Sequence, residues 1–245
     1  MSSIQVIDRS ASLLDAISQY EDPVSLKILS ADTELHPSTA FRILGALMEA
    51  GFVEKDTAGH YTLGRKLVRL ASKVKRGVGL REQALDIMEE LRDAIGETVN
   101  LTVREGDEVI YIERVTSNRM MRVEQVIGSR APLHVTAVGK LMLAELGDHF
   151  IHAYAERTGL KPYTSHTAST EQDLLNLVHQ SKKKGFAYDN EEAEEGVGCI
   201  GVLIYDGSKN VVAGLSISAP IERRQEAWVA LVKDAGKRIS ERLGA

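Results

Sequence analysis

The chain has 245 residues, 43% of them hydrophobic and 27% charged, with a formal net charge of −5. That composition excludes a disordered or collagen-like chain and allows one large domain or two modest ones. The longest apolar runs, such as CIGVLIY at 199–205, fall far short of the ~20 residues of a membrane span, and the N-terminal MSSIQVIDRS lacks the basic start and apolar middle of a secretory leader.

Residues 4–20 place Val6, Ile7, Leu13, Leu14 and Ile17 at helical spacing, until EDP at 21–23 ends the pattern. A short second helix fits SLKILSADT with Ser25 as its N-cap. A tight ELHP turn follows, and Pro37 suits the first position of a third helix that stops at Gly51. Its apolar stripe is Ala40, Ile43, Leu44, Leu47 and Met48; its other face carries Ser38, Thr39, Arg42 and Glu49. FVEKD, TAG and HYTLG read as a small hairpin. From Arg65 a helical pattern returns with Leu67, Leu70 and Val74, and GVG at 77–79 is the best break in the chain.

Beyond it, LREQALDIMEELRDAIG buries Leu80, Ala84, Ile87, Met88, Leu91 and Ile95 along one side of a helix stopped by Gly96. Strands are expected at VNLTVR, VIYIERV and MRVEQVI. Thr136 caps a helix through AVGKLMLAEL, and Ser169 or Thr170 caps another ending at Gly185. Strands at 198–205 and 211–219 pair around DGSKN, and a final helix runs from Ile221 to Leu243. Helices flank a mostly antiparallel sheet, so the fold class is α+β.

Charge is unevenly placed. Residues 36–76 hold eight basic groups (Arg42, Lys55, Arg65, Lys66, Arg69, Lys73, Lys75, Arg76) against three acids, Glu49, Glu54 and Asp56. Residues 79–245 hold twenty basic and twenty-six acidic groups. A basic module joined to an acidic one fits anion binding by the first part. Two helices, a tight turn, a helix with a polar front and a glycine hairpin together make a winged helix-turn-helix. A major groove admits one helix, whose first turn needs side chains short enough to approach bases and phosphates. The candidate DNA contacts are Ser25, His36, Ser38, Thr39, Arg42, Lys55 and His60.

In the second part, Ser216 and Ser218 project to one face of their strand, with Gly214 leaving room there and Leu215 and Ile217 facing away. Cys199 lies on the preceding strand, Asp189 follows the strand FAY, and HVTAVGK offers backbone N–H groups at a helix start. These groups suit a pocket for a small organic or hydroxy acid. Each has a plainer role: Cys199 as a core residue, Asp189 as a turn or cap, and the serines bonded to backbone. EEAEE at 191–195 reads as a solvated loop. HFIH at 149–152 has the spacing of two metal ligands without a third, so neither a metal nor a cofactor is expected.

The segments VIDRSASLLDAI, LHPSTAFRILGALMEAGFVEKD and HYTLGRKLVRLA resemble the DNA-binding domain of the isocitrate lyase regulator (IclR) family of bacterial transcription factors. GFAYDNEEAEEGVGCIGVLIYD is similar to that family's C-terminal signature at Gly185, Asp189, Glu192, Cys199, Ile200, Gly201, Ile204, Tyr205 and Asp206. The resemblance runs from about Ile4 to Ser240. It implies a winged helix-turn-helix domain at 4–64, a linker helix at 65–79 and a GAF-like effector-binding domain at 80–245. It places effector contacts at Leu133, His134, Val135, Asp189, Val197, Cys199, Ser216 and Ser218. The expected partners are double-stranded operator DNA, a small organic acid and further copies of the chain as a dimer or tetramer, with no membrane.

The chain departs from the family pattern at three places. Gly45 stands where a longer polar side chain is usual, His36–Pro37 replace proline–lysine, and Val135 stands where alanine is common. Two rival readings differ in kind. A thiol hydrolase would use Cys199, His134 and Asp189 as nucleophile, base and orienting acid, but Cys199 sits in an apolar strand and not in the electropositive setting a reactive thiol needs. An empty, purely oligomerising module would have no use for paired hydroxyls on one strand face. A single cysteine also excludes an intrachain disulfide and points to the reducing cytoplasm.

Overall fold

Proline at position 37 and the left-handed glycine at 51 bracket the helix on which the N-terminal part of the chain is built. The computed structural model describes residues 5–71 and 78–245, in two units spanning Met1–Lys75 and Arg76–Ala245. The expected helix start at Ile4, and Ser72, Lys73, Val74, Lys75, Arg76 and Gly77 of the expected linker, lie outside the described residues.

In the first unit, α1 (Gln5–Ser18), α2 (Leu26–Asp32) and α3 (Pro37–Glu49) precede a hairpin of β1 (Val53–Lys55) and β2 (Tyr61–Leu63) and then α4 (Arg65–Ala71). Leu13, Ile17, Leu29, Ala40, Ile43, Leu44, Leu47 and Tyr61 close one core. The helical stripes are narrower than the sequence pattern suggests: Val6, Ile7, Met48 and Leu70 are exposed, because a three-helix core of this size covers little more than one side of each helix. Ser25 caps α2 by accepting the Ile28 N–H. Gly64 has no substitute at its position, since a Cβ there would lie 2.5 Å from the Gly51 carbonyl oxygen.

The second unit is a six-stranded antiparallel sheet in the order β5-β4-β3-β8-β7-β6. Its strands are β3 (Thr98–Glu105), β4 (Glu108–Val115), β5 (Arg130–Pro132), β6 (Ala187–Asn190), β7 (Val197–Tyr205) and β8 (Val211–Pro220). The helices α5 (Val78–Ile95) and α9 (Trp228–Arg242) pack on one face through Leu80, Ile87, Met88, Leu91, Val232 and Ile239. The other face carries α6 (Ala137–Leu146), with α7 (Asp148–Thr158) and α8 (Glu171–Lys184) beyond it. Each buried Leu or Ile of these stripes contributes about 1.5–3 kcal/mol. Among the described residues no helix is long and apolar enough to cross a membrane.

Five local expectations are corrected. The helix expected from Leu80 starts two residues earlier, at Val78. MRVEQVI forms no strand: the outer edge of β4 is paired only at Glu108–Ile110, with Arg130–Pro132, and Met121, Val126 and Ile127 stay exposed. The last helix starts at Trp228, after a single turn at Ile221–Arg223, because Arg224 turns back to bond the carbonyls of Asp189 and Cys199. Helix α7 was hidden in the HFIH stretch, whose buried positions are Ile151, Tyr154 and Ala155; its His152 bonds Glu171. Finally, the EEAEE run is not wholly solvated, since Glu192 is buried and ion-paired with buried Lys140.

Helix α3 offers a matched stability test. A Cβ at Gly45 would meet nothing within 4 Å, so Gly45→Ala should stabilise the first unit by about 1 kcal/mol, while Gly64→Ala should destabilise it. Hydrogen exchange of α3 amides in the full chain checks both, and slower exchange in the Gly64 variant would contradict the close approach.

Candidate functional site

On α3, Ser38 and Arg42 are exposed and Thr39 is half-buried. Arg42 has no hydrogen bond or ion pair among the described residues, so its guanidinium is free to engage phosphate or guanine. His36 serves as the N-cap of α3: its Nδ1 accepts the Ser38 N–H at 3.4 Å and lies 2.8 Å from Ser38 Oγ. A ring nitrogen that accepts from the backbone is unprotonated, so Ser38 must donate its hydroxyl hydrogen there, and its oxygen remains an acceptor. In the hairpin, the Lys55 ammonium lies 5.0 Å from the Tyr61 ring centre and 5.8 Å from that of Phe41 on α3, tying wing to helix through a cation–π contact. The His60 ring is 3.7 Å from Asp56. The structure therefore brings His36 and Ser38 together, and Lys55 with Phe41, while Ser25 is engaged as the cap of α2.

In the second unit, pairing register lays four of the expected effector contacts side by side. Asp189 faces Cys199 across β6 and β7, and Cys199 faces Ser218 across β7 and β8. Cys199 Sγ lies 3.3 Å from Ser218 Oγ, and all four of Asp189, Cys199, Ser216 and Ser218 are buried. Asp189 lies within β6 and not after it. Its Oδ1 accepts the Glu192 N–H at 2.8 Å, and burial pushes its carboxyl up to about 6, opposed by the nearby Lys140 cation. Burial, and then the Asp189 charge, push the Cys199 thiol well above its ordinary range, the reverse of what a nucleophilic thiolate needs.

His134 points elsewhere. Its Nδ1 is 2.7 Å from the Tyr154 hydroxyl and its Nε2 is 3.1 Å from the Lys161 carbonyl oxygen. The carbonyl requires an Nε2–H donor, so Nδ1 accepts from Tyr154, and burial lowers the imidazole pKa. Both nitrogens are spent fastening the turn before α6 to Tyr154 of α7 and to the Lys161 carbonyl beyond it, so His134 is not a base for Cys199. Leu133 and Val135 are buried in the single turn before α6, and Val197 is partly buried at the start of β7.

Gly214 does not leave room for a ligand. A Cβ at Gly214 or Gly201 would come within 2.7 or 2.8 Å of Val138, so these glycines admit the first turn of α6. That turn is capped by Thr136, whose hydroxyl accepts the Gly139 N–H. A separate cleft of about 290 Å³ opens beside α6, α8, β7 and α9 and shares none of these residues; its Lys182 and Lys233 already donate to helix carbonyls at Ala144 and Lys184.

Sequence reading missed Asn100, Arg114 and Tyr111. Thr98, Asn100 and Thr102 alternate with apolar Val99 and Leu101 along β3, so they share the face of Ser216 and Ser218. The signal was present as polar residues on every second position of a strand whose other positions are core. Tyr111 lies on β4, and its phenol is raised chiefly by burial and further by Cys199 and Asp189, which places it within electrostatic reach of both.

Comparison with known proteins agrees with this geometry. A model of the IclR helix-turn-helix domain matches residues 6–57, and one of the bacterial transcriptional regulator IclR C-terminal domain matches residues 72–241. The chain is 30% identical over 249 aligned residues to the HTH-type transcriptional regulator XynR of Escherichia coli K12, covering 100% of this chain and 99% of that one. The Thermotoga maritima IclR crystal structure is 30% identical with a TM-score of 0.75, over 99% of this chain and 100% of that one. An IclR homolog from Microbacterium hydrocarbonoxydans, complexed with 4-hydroxybenzoate, shares the fold at a TM-score of 0.85 and 23% identity, over 97% and 98% of the two chains. The chain belongs to the IclR family, and is a DNA-binding transcriptional regulator with a C-terminal ligand-binding domain.

Proposed function

We propose that this regulator binds operator DNA through α3 and the β1–β2 wing, and that a small organic acid on the α6 face of the sheet controls that binding. The observation that carries the reading is the buried polar strip Asp189–Cys199–Ser218, with Ser216 beside it, on a sheet face otherwise covered by apolar helices. Asp189 and Ser218 already bond within the protein, and a ligand with a carboxylate and a hydroxyl would offer the strip a further acceptor and a further donor. Its carboxylate would accept from Ser216 and Ser218, while Asp189 would take a ligand hydroxyl, since an ionised carboxylate only accepts. The 4-hydroxybenzoate held by the Microbacterium protein is an acid of that general kind. Cys199 would be a polarizable contact without covalent chemistry. One winged helix offers few base contacts, so a dimer or tetramer reading two half-sites is part of the proposal.

Operator recognition is tested with a sequence selected by the wild-type chain from a random DNA pool. Arg42→Ala should abolish its shift in a gel without changing circular dichroism, Ser38→Ala and Thr39→Ala should weaken it less, and binding should fall steeply with salt. Normal binding by the Arg42 variant would remove α3 from the interface.

Effector recognition is tested by calorimetry with hydroxy acids. Ser218→Ala should weaken binding roughly ten- to a hundredfold, as loss of a hydrogen bond to a charged group does. If affinity is unchanged in both Ser218→Ala and Asp189→Asn, the ligand lies elsewhere.

Asp189 also carries a pH signature. Because its folded pKa, about 6, lies above the unfolded value, the native state holds a proton that the unfolded chain has already lost between about pH 4 and 6. Stability of the second unit therefore falls as pH rises through that window, and the ionisation penalty is complete above it. Asp189→Asn should raise the melting temperature at pH 7.5 more than at pH 4; an equal shift at both would show that Asp189 is not held in this environment.

A further inference from the structure

We propose that Asn100 and Arg114 form the specificity-determining end of the effector site, and that the acid it takes is polyhydroxylated. This rests on the reading above, that an acid lies over the Asp189–Cys199–Ser218 strip. Asn100 is fully buried on β3. Its Nδ2 donates to Ser218 Oγ at 3.1 Å, so it belongs to the same polar network, yet its Oδ1 has no hydrogen-bond partner. Directly opposite on β4 stands Arg114, on the same sheet face. Arg114 Nη2 lies 2.8 Å from Glu124 Oε1 and Nη1 donates to the Gln125 carbonyl, but Nε is buried without a partner. Gln125, held by that bond, also has a buried and unpartnered Oε1. Among the described residues four buried side-chain atoms lack a partner, and three of them fall on these neighbouring residues; the fourth, Ser30 Oγ, is in the other unit.

The three atoms are two acceptors and one donor, and their chemistry selects the ligand. Buried polar atoms are retained in native proteins where something completes them. A hydrocarbon chain or aromatic ring would leave all three unpaired. A second carboxylate would meet two acceptor oxygens, and the Arg114 charge is already balanced by Glu124. A hydroxyl satisfies both requirements, donating to Asn100 Oδ1 or Gln125 Oε1 while accepting the Arg114 Nε–H. Ser216 on β8, Asn100 on β3 and Arg114 on β4 form one cross-strand row, so from Ser216 to Arg114 is two strand spacings, or roughly 10 Å. A carboxylate bonded at one end and a hydroxyl at the other bridge that span with a chain of about four to six carbons.

The test uses the full chain and calorimetry with three hydroxylated acids (gluconate, galactonate and threonate) against hexanoate and butanoate, which keep the carboxylate and chain length without hydroxyls. Wild type should bind at least one hydroxylated acid about tenfold or more tighter than its alkanoate, as a site built to pair a hydroxyl does. Asn100→Leu should erase that preference by weakening the hydroxylated acid, with the alkanoate unchanged. Arg114→Lys, which keeps the charge facing Glu124 but lacks Nε, should reduce it in the same direction, and serves if the leucine variant does not fold. A preference that survives both substitutions, or a wild type that binds alkanoates equally well, overturns this assignment and leaves the effector reading intact. If no acid of either kind binds wild type, the effector reading fails and this inference fails with it.

Discussion

The candidate effector site depends on one buried ion pair, Lys140 with Glu192. Lys140 lies on α6 and Glu192 in the loop after β6, so the pair joins the helix that covers the sheet to the strand that carries Asp189. Two further bonds fix that loop: Thr164 and Thr167 donate to the carbonyls of Glu191 and Glu192. The Glu192 N–H can then sit on Asp189 Oδ1. Removing one partner of such a pair leaves an uncompensated buried charge, at a cost of about 3–5 kcal/mol. The same cation holds down a carboxyl that burial raises, so fold stability and site protonation share one charge.

The second constraint is the close approach of α6 to the sheet. Val138 enters a recess made by Gly201 and Gly214, and His134 and Tyr154 pin the preceding turn to α7. With the helix fixed at that end, the polar residues further along the same face keep their mutual positions. The sheet therefore has unlike faces. One is a continuous apolar core under α5 and α9, and the other carries Asp189, Cys199, Ser216, Ser218 and Asn100 among apolar neighbours. Both faces are cores, and only the second also buries groups that are costly to desolvate.

The N-terminal unit uses its few residues differently. Lys66 bonds the Ala50 carbonyl at the end of α3 and covers the Phe52 ring, and Glu54 accepts the Arg65 N–H at the start of α4. Such caps satisfy helix-end groups that a small core cannot shelter. They leave Arg42 unengaged, as a side chain that must bind a polyanion should be.

Whatever depends on neighbours in sequence was legible without coordinates. The α5 stripe from Leu80 to Ile95, the caps at Thr136 and Thr170, the stops at Gly51 and Gly185 and the β7–β8 hairpin all follow from local spacing and backbone preference, and so does the winged helix-turn-helix. Alternation along β8 also placed Ser216 and Ser218 on one face. What spacing could not fix was which polar groups meet. Asn100 and Ser218 bond across 118 positions, Lys140 and Glu192 across 52, and Arg224 turns back on the Asp189 carbonyl across 35. Those contacts made Glu192 buried where an acidic run reads as solvated, assigned the Gly214 recess to Val138, and turned His134 toward α7. Local rules fix φ, ψ and the direction of a side chain. Its partner is set by strand order and helix placement, which are decided by packing the whole second unit at once.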